Sequence, residues 1–465
     1  MSPFAMGPAD GEPLLRALGE AAPPLPLHLP CHGRGRSLAP GLRRLLRLAP
    51  GAWDLPELPS IGAPLVEEGA VAESQARSAS LLGAERCWYG VHGASGLLQA
   101  ALLALAPPGT RVLLPRNLHR SLLHGCVLGQ IEPLLYDLPF DPLTGLWLPP
   151  DPQHLQRVLA AARALGGAAG LVLLDPTYQG LVADLPALIG LAHAQGLPVL
   201  VDQAHGSGTA VAAGADLCVL SPQKNATGLA QSALLLAQGS RVPVAAIERS
   251  LLWMQTSSPS ALLLAASAAA IDHAHSPAGH RQLERAQRRG LALRQRLQDL
   301  DLPLVANGDP LRLVLATAPL GISGLAADAW LLERGVVAEL PEPGALTFCL
   351  GLDPPRCLER LLPRRLLALR QALGGAPLPP FMPPPLPLLA APELPLGQAW
   401  RAASTPVPLA AAAGRIAAEP LCPYPPGIPL LVPGERIDPA RALWLAQQQQ
   451  LWPGQLPISV QVVDG

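Results

Sequence analysis

Five short runs of unbroken apolar residues, Val112–Leu114, Leu171–Leu174, Val199–Val201, Leu217–Leu220 and Ala233–Leu236, limit the folds open to this 465-residue chain. A strand with one wet face alternates apolar and polar residues, whereas a strand apolar at every position is buried on both faces. Alanine- and leucine-rich stretches at helical spacing, Leu97–Ala106, Gln153–Leu165 and Leu185–Gln195, lie between several of the runs. This alternation predicts an α/β fold with a mostly parallel sheet covered on both sides. Ser260–Ala274 and Gly279–Leu300 read as further helices, the second with many arginines and glutamines on its polar face.

The chain is too long for one small core. Residues 1–60, rich in Pro, Gly and Arg, read as an N-terminal arm with little core of its own, and 61–300 as the large domain. Shorter strands and helices from 301 to 465, among them Arg312–Ala316 and Leu361–Leu373, predict a smaller α+β C-terminal domain. The proline-dense stretch 377–396 is barred from regular helix and central sheet and reads as an extended connector. A net charge of −1 and a pI near 6.8 give no sign of a nucleic-acid surface. The strongest apolar run, Ala261 to Ile271, is too short to span a bilayer. The opening MSPFAMGPADGEP lacks the basic-then-apolar pattern of a signal peptide. Seven scattered cysteines without a CxxC pair argue against a disulfide framework or a metal site. A soluble, cytoplasmic protein is expected.

Lysine and arginine together number 33, yet only one of them, Lys224, is a lysine. Wherever this chain needs a cation it uses arginine, except once. A guanidinium stays protonated and is no use as an amine nucleophile, whereas a lysine amine loses its proton and forms a Schiff base with an aldehyde. Composition alone leaves open a stray surface lysine in an arginine-biased chain.

Ligands in open α/β sheets sit beyond the carboxyl ends of the strands, and four features fall there. Gly93-Ala94-Ser95-Gly96, before a helix expected near Leu97, offers backbone N–H groups and a hydroxyl to a phosphate; alone it reads first as an ordinary capped helix start. Asp202 ends an apolar strand, where a carboxylate needs a partner such as a protonated pyridine nitrogen; a metal or structural aspartate is the rival reading. Lys224 follows the next apolar strand, three residues after Ser221, itself able to hold a phosphate oxygen. His119, after Val112–Leu114, is placed to lie flat on a cofactor ring or to act as a hydrogen-bonded structural residue. Together, a phosphate cradle, an acid for a ring nitrogen, a stacking ring and one reactive amine are the parts that pyridoxal 5'-phosphate needs.

In order along the chain, Pro26-Leu27-His28-Leu29-Pro30-Cys31-His32, Asp54-Leu55-Pro56-Glu57, Arg116-Asn117-Leu118-His119, Pro176-Thr177-Tyr178-Gln179-Gly180, Asp202-Gln203-Ala204-His205-Gly206, Ser221-Pro222-Gln223-Lys224 and Thr256-Ser257-Ser258-Pro259 resemble the Orn/Lys/Arg decarboxylase family, short form. The tail, with Gly414-Arg415, Pro423-Tyr424 and Pro433-Gly434-Glu435, resembles its C-terminal domain. The resemblance implies an aspartate-aminotransferase-like large domain of pyridoxal-phosphate fold type I and decarboxylation of lysine, ornithine or arginine to CO2 and an amine, a polyamine precursor. It also implies that Lys224 carries the cofactor, Asp202 pairs its ring nitrogen, and His119 and Ala204 cover its two faces. His205 lies near the phenolic oxygen, and Ser95, Ser221 and the N–H groups around Ala94 and Gly96 hold the phosphate. On the same resemblance, Thr256 and Ser257 would reach the phosphate of a partner subunit, which would make the protein a homodimer or a higher homo-oligomer.

The chain departs from the family pattern at Cys31-His32-Gly33, usually Gly-His-Lys; at Gln203, usually Glu; at Gln223, usually His; and at Ala94, where a hydroxyl residue is common. A basic substrate needs an acid opposite its distal cation, and Glu419 and Glu435 are candidates by their place in the tail. Another fold type I reaction, transamination or acyl transfer, would use the same lysine and aspartate, and a catalytically silent relative is the reading from a different class.

Overall fold

The computed structural model describes residues 13–19, 23–423, 427–452 and 454–464. The opening segment 1–12 of the arm and Tyr424 of the tail motif lie outside the described residues. At the centre is a sheet of β1 (Arg86–Gly90), β2 (Arg111–Pro115), β3 (Glu132–Tyr136), β4 (Gly170–Leu174), β5 (Val199–Gln203), β6 (Leu217–Leu220) and β7 (Ala233–Ala237). Their order across the sheet is β3-β2-β4-β5-β6-β7-β1. Neighbours from β3 through β6 are parallel. Strand β7 runs antiparallel to both β6 and β1. That reversal is invisible in the run Ala233–Leu236, because a strand buried on both faces reads the same in either direction.

Successive side chains of a strand point to opposite faces, and here both faces are dry. Leu171 and Leu173 pack with Leu155 and Val158 of α2 (Pro152–Ala164) and Leu188 of α3 (Leu185–His193). Val172 between them faces the other layer, with Leu97, Leu98 and Leu102 of α1 (Gly93–Leu105).

The smaller lobe is an antiparallel sheet of β8 (Arg312–Ala316), β9 (Leu340–Glu342) and β10 (Ala345–Cys349), with β10 in the middle. Leu313 and Phe348 bury against Leu293 of the helix Pro277–Gln298 and Leu362 and Leu366 of the helix Leu358–Leu373. The arm completes this lobe: Leu25–Pro26 pairs in parallel with Val336–Val337, and Leu25 and Leu27 enter the same core. The proline-dense connector runs extended and contributes β11 (Leu389–Ala390), antiparallel to β3 at the outer edge of the large sheet. An edge is where such a sequence is tolerated, since missing N–H groups there break no inner ladder. Past it, β12 (Ser404–Pro408) and β13 (Ser459–Val463) pair over a separate core of Leu431, Ile437, Leu445 and Val462. Among the described residues no helix is long and apolar enough to cross a membrane.

Candidate active site

The register of β5 on β6 sets Asp202 beside Val219 and Gln203 beside Leu220, so their carboxyl ends are level. Ser221 leaves β6 in extended conformation, and Pro222 opens a single helical turn, Pro222–Asn225, that carries Lys224. Lys224, Asp202, His119, Ala204, His205 and Ser221 all line one cavity of about 1000 Å3. The Lys224 Nζ lies 3.0 Å from His205 Nε2 and 5.6 Å from the centre of the Tyr178 ring. Asp202, buried, accepts the N–H of Ala204 at 3.0 Å and forms no ion pair among the described residues.

Burial lowers the Lys224 ammonium from its usual range; Asp202 and Glu339 pull it back up and Arg312 adds to the lowering. Burial also holds His205 well below the ordinary imidazole value, helped by the charges of Lys224 and Arg312. His119 is lowered by burial, with Asp202 opposing and Lys224 reinforcing the shift. Both rings are therefore neutral at pH 7. His119 is fixed from one side: its Nδ1 bonds Ser121 Oγ at 2.8 Å and accepts the Ser121 N–H at 3.3 Å.

At the other end of the cavity the helix expected from Leu97 starts earlier, at Gly93, so Ala94, Ser95 and Gly96 form its first turn rather than precede it. Gly93 makes this possible with φ +68°, a conformation glycine adopts freely. A Cβ at Gly96 would lie 2.8 Å from that of His92, which accounts for the second glycine. Ala94 and Ser95 line the cavity, and first-turn N–H groups have no partner within their own helix. Gly96 does not line it and donates to His92 O at 3.4 Å. Ser221 Oγ, Asn117 Oδ1 and His205 Nδ1 are buried without a hydrogen-bond partner. An anion at the helix start would accept from the Ser221 hydroxyl and the first-turn N–H groups, a protonated ring nitrogen would pair Asp202, and an aldehyde would meet the Lys224 amine, so these residues fit pyridoxal phosphate. Thr256 and Ser257, just after α4 (Val244–Met254), do not line the cavity of their own chain.

The departures have structural reasons. Gln203 turns away from the site, donating to Thr209 Oγ1 at 3.0 Å and accepting the N–H of Ala210 at 3.1 Å. Cys31 buttresses the lysine turn: its N–H donates to Gln223 O at 2.8 Å and its thiol to Lys224 O at 2.6 Å. Arg312 of β8 donates to the same Lys224 carbonyl at 2.9 Å. Gln223 lines the cavity. Neither tail acid faces it. Glu419 is exposed and away from the cavity wall. Glu435 is buried in an ion pair with Arg116 and accepts from Arg441 at 3.3 Å. Besides Asp202, the carboxylate on the wall is Glu342, beside Gln179. Sequence reasoning passed over Glu342, Arg312 and the pair Tyr178–Glu339, in which the phenol donates to the carboxylate at 2.8 Å. An acidic residue at 342, ending a short strand, was the one available signal.

A mostly parallel sheet, reversed at β7 and at the edge strand β11, and a lysine turn at its carboxyl edge define the class: the fold is that of pyridoxal-phosphate enzymes of fold type I. The Orn/Lys/Arg decarboxylase major domain matches residues 52–314 and the C-terminal domain of the same enzymes matches residues 389–454. The chain belongs to the Orn/Lys/Arg decarboxylase family and is an amino-acid decarboxylase. It is similar to an arginine decarboxylase of Bacillus anthracis, 28% identical over 456 residues that cover 91% of this chain and 90% of the relative. An arginine decarboxylase of Bacillus subtilis is 28% identical over 443 residues, 89% of this chain and 88% of the relative. Among solved structures, lysine decarboxylase A from Pseudomonas aeruginosa superposes with a TM-score of 0.74 at 17% identity, over 93% of this chain and 78% of that one.

Proposed function

We propose that the chain binds pyridoxal phosphate through Lys224 and decarboxylates a basic amino acid, arginine before lysine and ornithine, to CO2 and an amine that feeds polyamine formation. The observation that carries this reading is the placement of the sole lysine, half-buried on a cavity wall shared with Asp202 and His119. The names of the curated relatives favour arginine.

When bound, the cofactor supplies an electron sink that lets a carboxylate leave an amino acid as CO2. Lys224 would anchor its aldehyde, Asp202 would keep its ring nitrogen protonated, and His119 and Ala204 would hold the ring between them. Ser95, Ser221 and the first-turn N–H groups of α1 hold the phosphate, where the helix dipole favours an anion. His205, neutral and 3.0 Å from Nζ, keeps the amine in place and passes protons to and from it. The site is closed by a partner subunit whose Thr256 and Ser257 reach the phosphate; the exposed Leu252 and Trp253 beside that segment support a homodimer. Sedimentation at twice the chain mass checks the dimer.

The deciding assay follows CO2 and amine release from arginine, lysine and ornithine by the purified protein with added cofactor. Equal yields of CO2 and amine are expected from at least one, and keto-acid formation instead would turn the reading to transamination. Asp202→Asn is expected to keep the cofactor bound through Lys224 but to lower kcat on the order of 10²-fold, because an amide cannot hold the ring nitrogen protonated as charge develops. Wild-type kcat in that variant would remove Asp202 from the mechanism.

A further inference from the structure

We propose that Glu342 is the counter-ion for the distal cation of the substrate and so sets the preference for basic amino acids. This rests on the function proposed above and goes beyond it, naming a residue that selects the substrate.

Glu342 ends β9, is 2% exposed and lines the cavity. Its Oε2 accepts from Gln179 Nε2 at 2.8 Å, and among the described residues it has no other side-chain hydrogen bond and no ion pair. The other buried or nearby carboxylates are committed. Glu435 has Arg116 and Arg441, and Asp216 has His193 and Arg241. Glu339 accepts from Tyr178 at 2.8 Å and from the N–H of Leu29 at 2.7 Å, which uses both its oxygens. Asp175 accepts the N–H of Ala183 at 2.7 Å and does not line the cavity, and Asp202 serves the cofactor.

A buried carboxylate held only by a neutral amide is costly unless a cation arrives to pair it. Burial pushes the Glu342 carboxyl up to about 7, against the lowering pull of Gln179, and no other charged side chain contributes. Position agrees with the role. Gln179 follows Tyr178, whose ring centre is 4.1 Å from that of His205, and His205 touches the Lys224 amine. In this proposal the far end of a long side chain meets Glu342 when its α-amino group is at Lys224, both residues lining the one cavity.

The test compares the holoenzyme with Glu342→Gln on arginine, lysine, ornithine and citrulline, which has the shape of arginine without its charge. For the best basic substrate, KM is expected to rise about 10- to 100-fold, the worth of a hydrogen bond to a charged group. Selectivity for arginine over citrulline should fall by a similar factor. Meanwhile kcat changes far less, and the absorbance of bound pyridoxal phosphate stays as in the unaltered protein. Unchanged KM and unchanged selectivity would overturn the assignment. If Glu342→Gln does not fold, Glu342→Asp decides: a shortened contact raises KM while cation selectivity survives, and an unchanged KM rejects the role. Failure of the unaltered protein to release CO2 from any basic amino acid would sink the functional reading instead, and is read before any variant.

Discussion

Replacing Lys224 with alanine is expected to lower kcat/KM by at least about 10⁴-fold, the upper range for a positioned acid–base group, and to abolish the absorbance of bound pyridoxal phosphate. No other side chain can take its place. The remaining cations are arginines, whose guanidinium neither loses a proton nor forms a Schiff base. Lys224→Arg should therefore be as inactive as Lys224→Ala, although it keeps the charge. A small amine added to Lys224→Ala should restore part of the turnover, because the cavity wall left by Asp202, His119 and Ser221 is intact. The pH dependence has a definite sign. Burial lowers the Lys224 ammonium, so the neutral amine is reached at a lower pH than for an exposed lysine. The rate at which protein freed of cofactor recaptures it should rise with pH and level off below 10.5, the ordinary lysine value. A plateau at or above that value, or full turnover in Lys224→Ala, would remove the lysine from its assigned role.

What the sequence disclosed follows from which interactions are local. Val112–Leu114 and Leu171–Leu174 were legible as doubly buried strands because burial on both faces leaves no polar position to obscure them. Asp202 and Lys224 were legible because one ends such a strand and the other follows the next one closely, and the adjoining register of β5 and β6 turns their separation along the chain into nearness in space. The direction of β7 was not legible, since apolar content carries no polarity. The start of α1 was displaced because Gly93 and Gly96 look like loop residues, whereas here they permit a turn and a close approach to His92. Least legible were groups brought together from remote segments. Cys31, Arg312 and Lys224 meet at one carbonyl although 193 and 88 residues separate the first two from the lysine. Glu435 drew attention as a tail acid that might answer a substrate cation, yet its cation is Arg116, 319 residues away. Both acids of the pair Glu339 and Glu342 stand on or beside a short buried strand, and only three-dimensional contacts tell the committed one from the open one.

Loss of the Glu435 carboxylate carries the largest stability effect. Arg116, directly after β2, is fully buried, and its Nη1 donates to Glu435 Oε2 at 3.0 Å while Nη2 reaches the other oxygen. Glu435 also accepts the N–H of Val432 at 2.9 Å, and the Arg116 and Arg441 charges hold its carboxyl below the usual range against burial. Glu435→Gln leaves the Arg116 charge buried without its counter-charge, a loss of about 3–5 kcal/mol. The midpoint of chemical denaturation should fall accordingly. The sign with pH follows from the lowered carboxyl: its stabilisation is present above the ordinary glutamate value and fades as pH falls through the lower folded value. The difference between Glu435→Gln and the unaltered protein should therefore shrink in acid. Arg116→Met combined with Glu435→Leu should cost less than the two single changes together, since a well-packed apolar pair leaves no stranded charge, and Arg441 retains Asp438 at 2.5 Å. Activity should follow the same order. Arg116 stands three residues before His119, so the pair ties the tail core to the loop that carries His119. A Glu435→Gln protein as stable as the original at neutral pH would mean that this buried pair is not what holds the tail to the active-site loop.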